Sequence, residues 1–193
     1  MFDKYKIRKL RKADYEEALE LYAKACRTDK FFCRQFKTED CYFDIKDNFN
    51  SDVDNTIAFG HAYGTFHKGK LVGVILGFNI YDWYHNHKAA YDHIFQSDSQ
   101  YGNSWFETLT TKFRQLNKRI VYVYAICVDR DFQGCRIASN LIQTTVRLFG
   151  KDFVLFSDAD NPVARSMWLR NGFQQFRIPL TNGGEINGFY RGE

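Results

Sequence analysis

The spacing of apolar residues alternates between strand-like and helix-like along the chain. Tyr5–Leu10 predicts a first strand, and Asp14–Glu17 has the form of a capping box at the start of a helix. Apolar residues then recur at helical spacing at Ala18, Leu19, Tyr22 and Ala25. Residues 31–52 predict a second helix with irregular ends.

A β-hairpin is predicted from Thr56–His67 and Lys70–Ile80, joined at Lys68 and Gly69. Its second arm is apolar on both faces, which is typical of a strand in the middle of a covered sheet. Strict alternation assigns one face to Val72, Val74, Leu76, Phe78 and Ile80, and the other to Leu71, Gly73, Ile75 and Gly77.

In the second half, Arg119–Val128 is a strong strand pattern and Phe153–Phe156 a short one. A helix is expected to begin at Gln133 and Gly134. Its wide apolar face comprises Ile137, Ala138, Leu141, Ile142, Thr145, Val146, Leu148 and Phe149. Residues 84–117 show helical spacing only around Ala89–Phe95 and Trp105–Leu116.

Another helix is predicted after Asn161, a good N-cap, with Pro162 at its first position. Gly172 fits the position just past its end, with Phe173 as the apolar residue that follows. Two closing strands are predicted at Phe173–Leu180 and Glu185–Arg191. The order of elements predicts one domain over residues 1–193, with a mixed α/β sheet covered on both faces.

Composition narrows the class of protein. The 193 residues are 45% hydrophobic, with no apolar run near the ~20 residues that a membrane span needs. The net charge of +4 is spread along the chain without a basic stripe, so we expect no nucleic-acid partner, and small anionic ligands are favoured. The N-terminal residues lack the apolar segment of a signal peptide, so we expect a cytoplasmic protein.

The chemistry of cysteine and histidine gives no metal site. The five cysteines, Cys26, Cys33, Cys41, Cys127 and Cys135, form no C-x-x-C pair, so zinc is not expected. His85, His87 and His93, with Asp92, could ligate a metal, but no partner spacing supports this. Cys127 and Cys135 have no histidine close in sequence, so apolar filling is favoured over nucleophilic catalysis.

The segment Gln133–Ser139 follows a strand and opens a helix. The N–H groups of Gly134 through Ser139 would then have no acceptor within the helix, and a pyrophosphate would satisfy them. Gly134 lets a phosphate approach the backbone, Ala138 keeps the surface low, and Arg136 could add a charge-assisted contact. An ordinary helix start that contains a glycine explains this segment equally well.

Two motifs together favour the first interpretation. Gln133-Gly-Cys-Arg136-Ile-Ala138 after Val128 resembles the Q/R-x-x-G-x-G/A hallmark of the GNAT N-acetyltransferase superfamily. Asn161, Ala164, Trp168 and Gly172-Phe173 resemble the later signature of that family. The resemblance implies a mostly antiparallel central sheet that is splayed in the middle, with helices on both faces and acetyl-CoA as co-substrate.

The resemblance also implies a cofactor site and a direct mechanism. Arg119–Val128 and Phe153–Phe156 would diverge around the pantetheine arm, which would pair with the backbone of Ile126, Cys127 and Val128. The phosphates would lie on Gln133–Ser139, that is, Gln133, Gly134, Cys135, Arg136, Ile137, Ala138 and Ser139, with Asn161, Ala164 and Trp168 also near the cofactor. An amine would attack the thioester without a covalent intermediate.

Two positions depart from the family pattern. Arg136 replaces the usual glycine, and we expect it to have an ordinary helical φ, because a side chain then costs nothing and its N–H still donates; a positive φ would weaken coenzyme binding. Trp168 stands where relatives carry a tyrosine that protonates the departing thiolate; an indole N–H can donate a hydrogen bond but is not a usable acid.

No general base stands out. Relatives often place a glutamate on the strand that corresponds to Arg119–Val128, which has none, so Tyr124 and Asp158 are the catalytic candidates. A role in core packing explains Tyr124 at least as well as catalysis does. Helix capping or loop solvation explains Asp158 at least as well as catalysis does. The acceptor, a small-molecule or peptide amine, is expected to contact residues 30–55 and 81–118. A non-catalytic coenzyme A-binding module is the alternative function, and a homodimer is possible.

Overall fold

The computed structural model describes residues 4–28, 61–80, 111, 119–159, 161–179 and 184–191. Seven strands and three helices lie wholly within these ranges. The strands are β1 (Lys6–Lys9), β2 (Tyr63–His67), β3 (Lys70–Asn79), β4 (Arg119–Val128), β5 (Phe153–Asp158), β6 (Gln174–Pro179) and β7 (Glu185–Arg191). The helices are α1 (Tyr15–Thr28), α2 (Ile137–Phe149) and α3 (Pro162–Arg170).

The strands follow the order β1-β2-β3-β4-β5-β7-β6 in one sheet. The β1/β2, β2/β3, β5/β7 and β6/β7 pairs are antiparallel, whereas β4 and β5 are parallel. The parallel ladder joins only Arg119–Tyr122 to Phe153–Phe156, although β4 continues to Val128. The predicted mixed, mostly antiparallel sheet is therefore confirmed.

The chain divides into two compact units. The first comprises Met1–Phe78 and Val123–Leu148, and the second comprises Asn79–Tyr122 and Phe149–Glu193. In the first unit, Ala18 and Leu21 of α1 join Val74 and Leu76 of β3 in a core cluster. Gly73, next along β3, points to the opposite face, where an added Cβ would meet Ile137 and Leu141 of α2. Helices thus cover both faces of this part of the sheet.

The second unit has its own apolar core. Its buried side chains are Ile80, Ile120, Val154, Phe156 and Ile178. Tyr122 of β4 stacks on Phe156 of β5, with ring centroids 5.5 Å apart. This packing fixes the β4–β5 pair at the point where the parallel ladder ends.

The start of α1 differs from the predicted capping box. A single 3₁₀ turn at Lys12–Asp14 precedes the helix, and Asp14 Oδ2 accepts a hydrogen bond from the Arg11 N–H at 2.6 Å. Glu17 Oε1 instead accepts from the Leu71 N–H at 3.0 Å. The carboxylate that was expected to cap the helix therefore ties α1 to β3.

The hairpin forms at the predicted turn, but its first strand begins at Tyr63 and not at Thr56, and one face assignment is wrong; residues 56–60 lie outside the described residues. Lys68 and Gly69 have φ angles of +50° and +84°, as a two-residue turn with φ positive at both positions requires. The register skips Val72, because Thr65 pairs with Gly73 and Phe66 with Leu71. This β-bulge places Leu71 in the same cluster as Val74, whereas strict alternation predicted opposite faces.

The apolar face of α2 is confirmed for most of its length. Its buried residues are Ile137, Leu141, Ile142, Thr145 and Val146. Leu148 was predicted on this face but is 58% exposed, whereas Val146 and Phe149 in the same last turn are buried and half-buried.

Several predictions lie outside the described residues. These are the helices predicted within residues 31–52, Ala89–Phe95 and Trp105–Leu116, the histidine cluster His85, His87 and His93 with Asp92, and the segments expected to hold the acceptor, apart from Thr111, which is helical. In the described ranges, no three His, Cys, Asp or Glu side chains are grouped closely enough to hold a metal. Every helix in the part of the chain that the structure describes is too short or too polar to span a membrane.

Candidate functional site

The segment after β4 is a 3₁₀ turn, a tight turn and then helix α2. Asp129 begins it: its N–H donates to the Val72 carbonyl at 2.9 Å, and its Oδ2 lies 3.0 Å from Lys70 Nζ. Its other carboxylate oxygen accepts from the Asp131 N–H at 3.1 Å. The ammonium of Lys70 is the main reason that the pKa of Asp129 lies below its usual value. The segment is therefore fixed to β3 at its start.

Helix α2 begins at Ile137, not at Gln133 and Gly134 as predicted. The Gln133 N–H donates to Arg130 at 3.3 Å, and the Cys135 N–H donates to Phe132 at 3.4 Å, so both stay within the turn. Arg136 is the residue before the helix, because its carbonyl accepts the Asn140 N–H at 3.0 Å. The Cys135 N–H is therefore lost from the predicted set of phosphate donors, Gly134 through Ser139.

Four N–H groups of this segment have no acceptor within the described chain: those of Gly134, Arg136, Ile137 and Ala138. They lie at the N-terminal end of a 13-residue helix, where the helix dipole is positive. Gly134 and Arg136 are exposed. This donor chemistry fits a diphosphate.

The expectation of a helical φ at Arg136 is wrong. Its φ is +61°, in the left-handed region where a side chain costs about 1–2 kcal/mol relative to a right-handed conformation. Gly134 has a φ of +78°, and an added Cβ there would meet no heavy atom within 4 Å. Both positive φ angles fall within the turn that precedes α2.

The residues of β4 that were predicted to pair with the coenzyme lie in the first unit. Cys127 is buried in the core cluster, and Ile126 and Val128 are half-buried. Tyr124 packs between Tyr22 and Phe78, with ring centroids 5.9 and 5.7 Å away. These contacts agree with a packing role for Tyr124 and leave its catalytic role a prediction.

The second motif caps α3 as predicted. Asn161 Oδ1 accepts from the Val163 N–H at 2.8 Å, with Pro162 at the first helical position. At the other end, the N–H groups of Gly172 and Phe173 donate to the carbonyls of Leu169 and Trp168 at 3.0 and 3.2 Å. This is a Schellman motif, and the φ of +82° at Gly172 is what it requires.

Trp168 is only 2% exposed, and its ring lies 4.7 Å from that of Phe173. Ala164 is half-buried on the same helix. Asp158 ends β5, opposite Gly188 of β7. Asn161, Ala164, Trp168 and Asp158 all lie in the second unit, and the phosphate-binding candidates lie in the first. The roles of Trp168 and Asp158 remain predictions.

Lys70 and Asp129 hold the start of the turn, and the Tyr5 ring packs edge-on against Phe132 within it. The sequence motifs did not identify these three residues. Their contacts join residues that are far apart in the chain, so motif spacing carries no signal for them. Only Asp129, which directly follows the strand ending at Val128, occupies a position that could have drawn attention.

Comparison with known proteins gives the family and the fold. The acetyltransferase (GNAT) family matches residues 15–173. No curated protein sequence matches the chain. Polyamine N-acetyltransferase of Drosophila melanogaster is similar in structure at 15% identity and a TM-score of 0.67, covering 98% of this chain and 100% of its own.

Two structures solved with ligands are similar as well. PaiA N-acetyltransferase of Thermoplasma acidophilum, in complex with coenzyme A, has 15% identity and a TM-score of 0.59 over 98% of this chain and 99% of its own. Naa50 of Arabidopsis thaliana, in complex with the bisubstrate analogue CoA-Ac-MVNAL, has 11% identity and a TM-score of 0.57 over 98% and 99%. With a family match over most of its length and the same fold, the chain belongs to the GNAT family of acetyltransferases.

Proposed function

We propose that this protein is an N-acetyltransferase that transfers the acetyl group of acetyl-CoA to a primary amine by direct attack. The observation that carries the proposal is the turn before α2. There, the N–H groups of Arg136, Ile137 and Ala138 lie at the positive end of the helix without acceptors in the described chain, beside an exposed guanidinium. No other described segment combines these features with a family motif.

The coenzyme would be held by main-chain groups. Its diphosphate would accept hydrogen bonds from the turn and from the start of α2, and the Arg136 side chain would add a charge-assisted contact. The backbone of Ile126, Cys127 and Val128 would pair with the pantetheine arm as an added strand would. A main-chain N–H near Ile126 would polarise the thioester carbonyl.

The reaction forms one C–N bond and breaks one C–S bond. The neutral amine attacks the acetyl carbonyl carbon, the tetrahedral intermediate collapses, and the thiolate leaves while the new amide loses a proton. An alkyl amine with a pKa near ~10 must first give up a proton, for which Tyr124 and Asp158 are the candidate acceptors. The Trp168 N–H would donate a hydrogen bond to the departing sulfur.

The comparison proteins suggest which amines to test. One is described as a polyamine N-acetyltransferase that forms N-acetylagmatine, and another was solved with a bisubstrate analogue carrying a peptide. We therefore propose agmatine, spermidine and a short peptide with a free N-terminus as the first acceptors.

A coenzyme A-binding module without turnover is the second candidate. The absence of a glutamate from β4 and the burial of Trp168 at the position of the family's tyrosine favour it. The two candidates share the coenzyme site and differ only in product formation.

The test combines calorimetry with an acceptor assay. Coenzyme A should bind, and acetylated product, followed by mass spectrometry, should appear with at least one amine of the panel. Binding without product across the panel would support the module, and the absence of binding to folded protein would refute both candidates.

A matched pair of variants locates the site. Gly134 and Gly69 are both exposed, both have positive φ angles (+78° and +84°), and neither has a heavy atom within 4 Å of an added Cβ. Gly134→Ala and Gly69→Ala should therefore lose similar amounts of stability. Only Gly134→Ala should weaken coenzyme A binding.

A further inference from the structure

Tyr5 lies before β1 and contacts the turn that leads into α2. Its hydroxyl lies beside the Cys135 side chain, and this neighbour is the main reason that the pKa of Tyr5 is raised. Cys135 sits inside the turn, between the two residues with positive φ. A residue at the beginning of the chain therefore holds the middle of the proposed phosphate-binding turn.

Three aromatic side chains from separate segments form a cluster around this contact. The Tyr5 ring meets Phe132 edge-on, with centroids 6.5 Å apart and planes at 82°. His67, at the end of β2, lies 5.4 Å from the Tyr5 ring and 5.5 Å from the Phe132 ring. His67 Nδ1 is 3.0 Å from the Lys4 carbonyl, which fixes the Tyr5 segment against β2.

The turn is thus fastened at two places. The ion pair between Lys70 and Asp129 and the Asp129 N–H hold its beginning against β3. The Tyr5 ring packs edge-on against Phe132, three residues later, and the Tyr5 hydroxyl lies beside Cys135, three residues further on. Gly134, between these two places, and Arg136–Ala138, directly after them, carry the N–H groups proposed to bind the phosphates.

We propose that Tyr5 is a positioning residue for the coenzyme: it holds the turn at Phe132 and Cys135 in the shape that directs the N–H groups of Arg136–Ala138 at the diphosphate. The proposal rests on the coenzyme site put forward under the proposed function. Tyr5 touches the turn and not the phosphates, so it acts through Cys135 and Phe132. A preformed turn loses less conformational freedom on binding.

The test uses Tyr5→Phe, which keeps the ring packing and removes the hydroxyl. The Kd for coenzyme A, measured by calorimetry, should rise about 3- to 10-fold, the size expected when one exposed polar contact with the turn is lost. The Kd for pantetheine, which lacks the phosphates, should change by less than twofold. A general loss of stability would weaken the binding of both ligands. A loss of affinity for coenzyme A alone would therefore indicate an effect on the phosphate site.

Tyr190→Phe is the matched control, because the Tyr190 hydroxyl donates to Gln174 in the second unit. It should leave the Kd for coenzyme A unchanged. As a second measurement, iodoacetamide should alkylate the exposed Cys135 faster in Tyr5→Phe than in the wild type, as judged by peptide mass spectrometry.

The outcomes separate the two proposals. If the wild type binds coenzyme A and Tyr5→Phe binds it equally well, the role of Tyr5 is refuted and the proposed function stands. If both ligands lose affinity equally, Tyr5 supports the fold in general and the positioning role is likewise refuted. If the folded wild type binds no coenzyme A, the proposed function fails, and the role of Tyr5 fails with it.

Discussion

Gly134 and Arg136 lie two residues apart and both have positive φ angles, +78° and +61°. Glycine adopts this conformation without steric cost, whereas arginine does not. Arg136 nevertheless occupies the second position, with an exposed side chain at the positive end of α2. Arg136 thus combines a strained backbone with a positive charge beside the proposed phosphate site. Its backbone and its side chain allow separate predictions for stability and for binding.

Replacement of Arg136 should reveal its backbone conformation. Arg136→Gly should be about 1 kcal/mol more stable than Arg136→Ala, because only glycine avoids the left-handed cost. At an ordinary helical φ the order of stability would be reversed, because alanine stabilises a helical position by up to about 1 kcal/mol relative to glycine. Urea denaturation of the two variants measures the difference, and an Ala variant that is the more stable would contradict the φ angle.

The Arg136 guanidinium should also contribute to coenzyme affinity. Arg136→Gly and Arg136→Ala should both weaken coenzyme A binding about 3- to 10-fold, as an exposed charge-assisted contact of about 0.7–1.4 kcal/mol implies. Arg136→Lys should keep most of the affinity. Arg147→Ala removes the same charge from the last turn of α2 and serves as the control in calorimetry. Equal losses at both positions would indicate only a general effect of net charge.

Gly73 allows α2 to pack closely on β3. An added Cβ would lie 2.5 Å from Ile137 Cγ2 and 3.5 Å from the Cys127 carbonyl oxygen. Gly73→Ala should therefore destabilise the protein by about 1–3 kcal/mol and weaken coenzyme A binding, because α2 must shift. Ile137→Ala in the same chain should relieve the clash. A double-mutant cycle by urea denaturation that gives additive losses would contradict this contact.

Thr65 has a buried hydroxyl without a hydrogen-bond partner in the described structure; the residue is 1% exposed. Thr65→Val replaces that hydroxyl with a methyl group and should raise the free energy of unfolding by about 1 kcal/mol. Thr65→Ser keeps the hydroxyl and removes the methyl group, so it should lower stability. A less stable Val variant in chemical denaturation would show that the hydroxyl is satisfied in solution.

The pair between Arg8 and Asp14 should give the protein a measurable acid sensitivity. Two hydrogen bonds of 2.7 and 2.8 Å join the guanidinium to the carboxylate and lower the pKa of Asp14 from 3.8 to about 2. Because the folded state has the lower pKa, the stabilisation is complete above about pH 4 and is mostly lost as the pH falls toward about 2.

The difference between the wild type and Asp14→Asn measures this effect. We expect a difference in free energy of unfolding on the order of 1 kcal/mol at pH 6, reduced by solvent screening, and only a small remainder at pH 2, where the folded-state carboxyl is about half protonated. Glu20→Gln, on the exposed side of α1, is the control and should show a smaller change. A difference for Asp14→Asn that is independent of pH would mean that the carboxylate charge is not the cause.

The sequence predicts the elements more reliably than it predicts their local geometry. The strand predicted at Arg119–Val128 and the one at Glu185–Arg191 have the observed bounds. The first is a nearly continuous run of β-branched and aromatic residues, and the second is set off by the Thr181–Gly184 segment before it. The capped helix after Asn161 is also as predicted, since its N-cap, Pro162 and Gly172 act within a few residues of the chain.

The start of α2 could not be predicted in the same way. Residues 133–136 have a composition that suits a helical turn as well as a tight one, and nothing local to Arg136 indicates a positive φ. The 3₁₀ turn before them is held by Lys70 and Tyr5, which are distant in sequence. Periodicity likewise gives the apolar face of α2, but not how far the sheet covers it, so Leu148 was misplaced.

The bulge at Val72 affects how this chain should be aligned with distant relatives. It changes the side-chain parity of β3, so Leu71 and Val74 face the same core although three positions separate them. A gapless alignment with a relative whose strand lacks the extra residue would match inward positions to outward ones on one side of Val72.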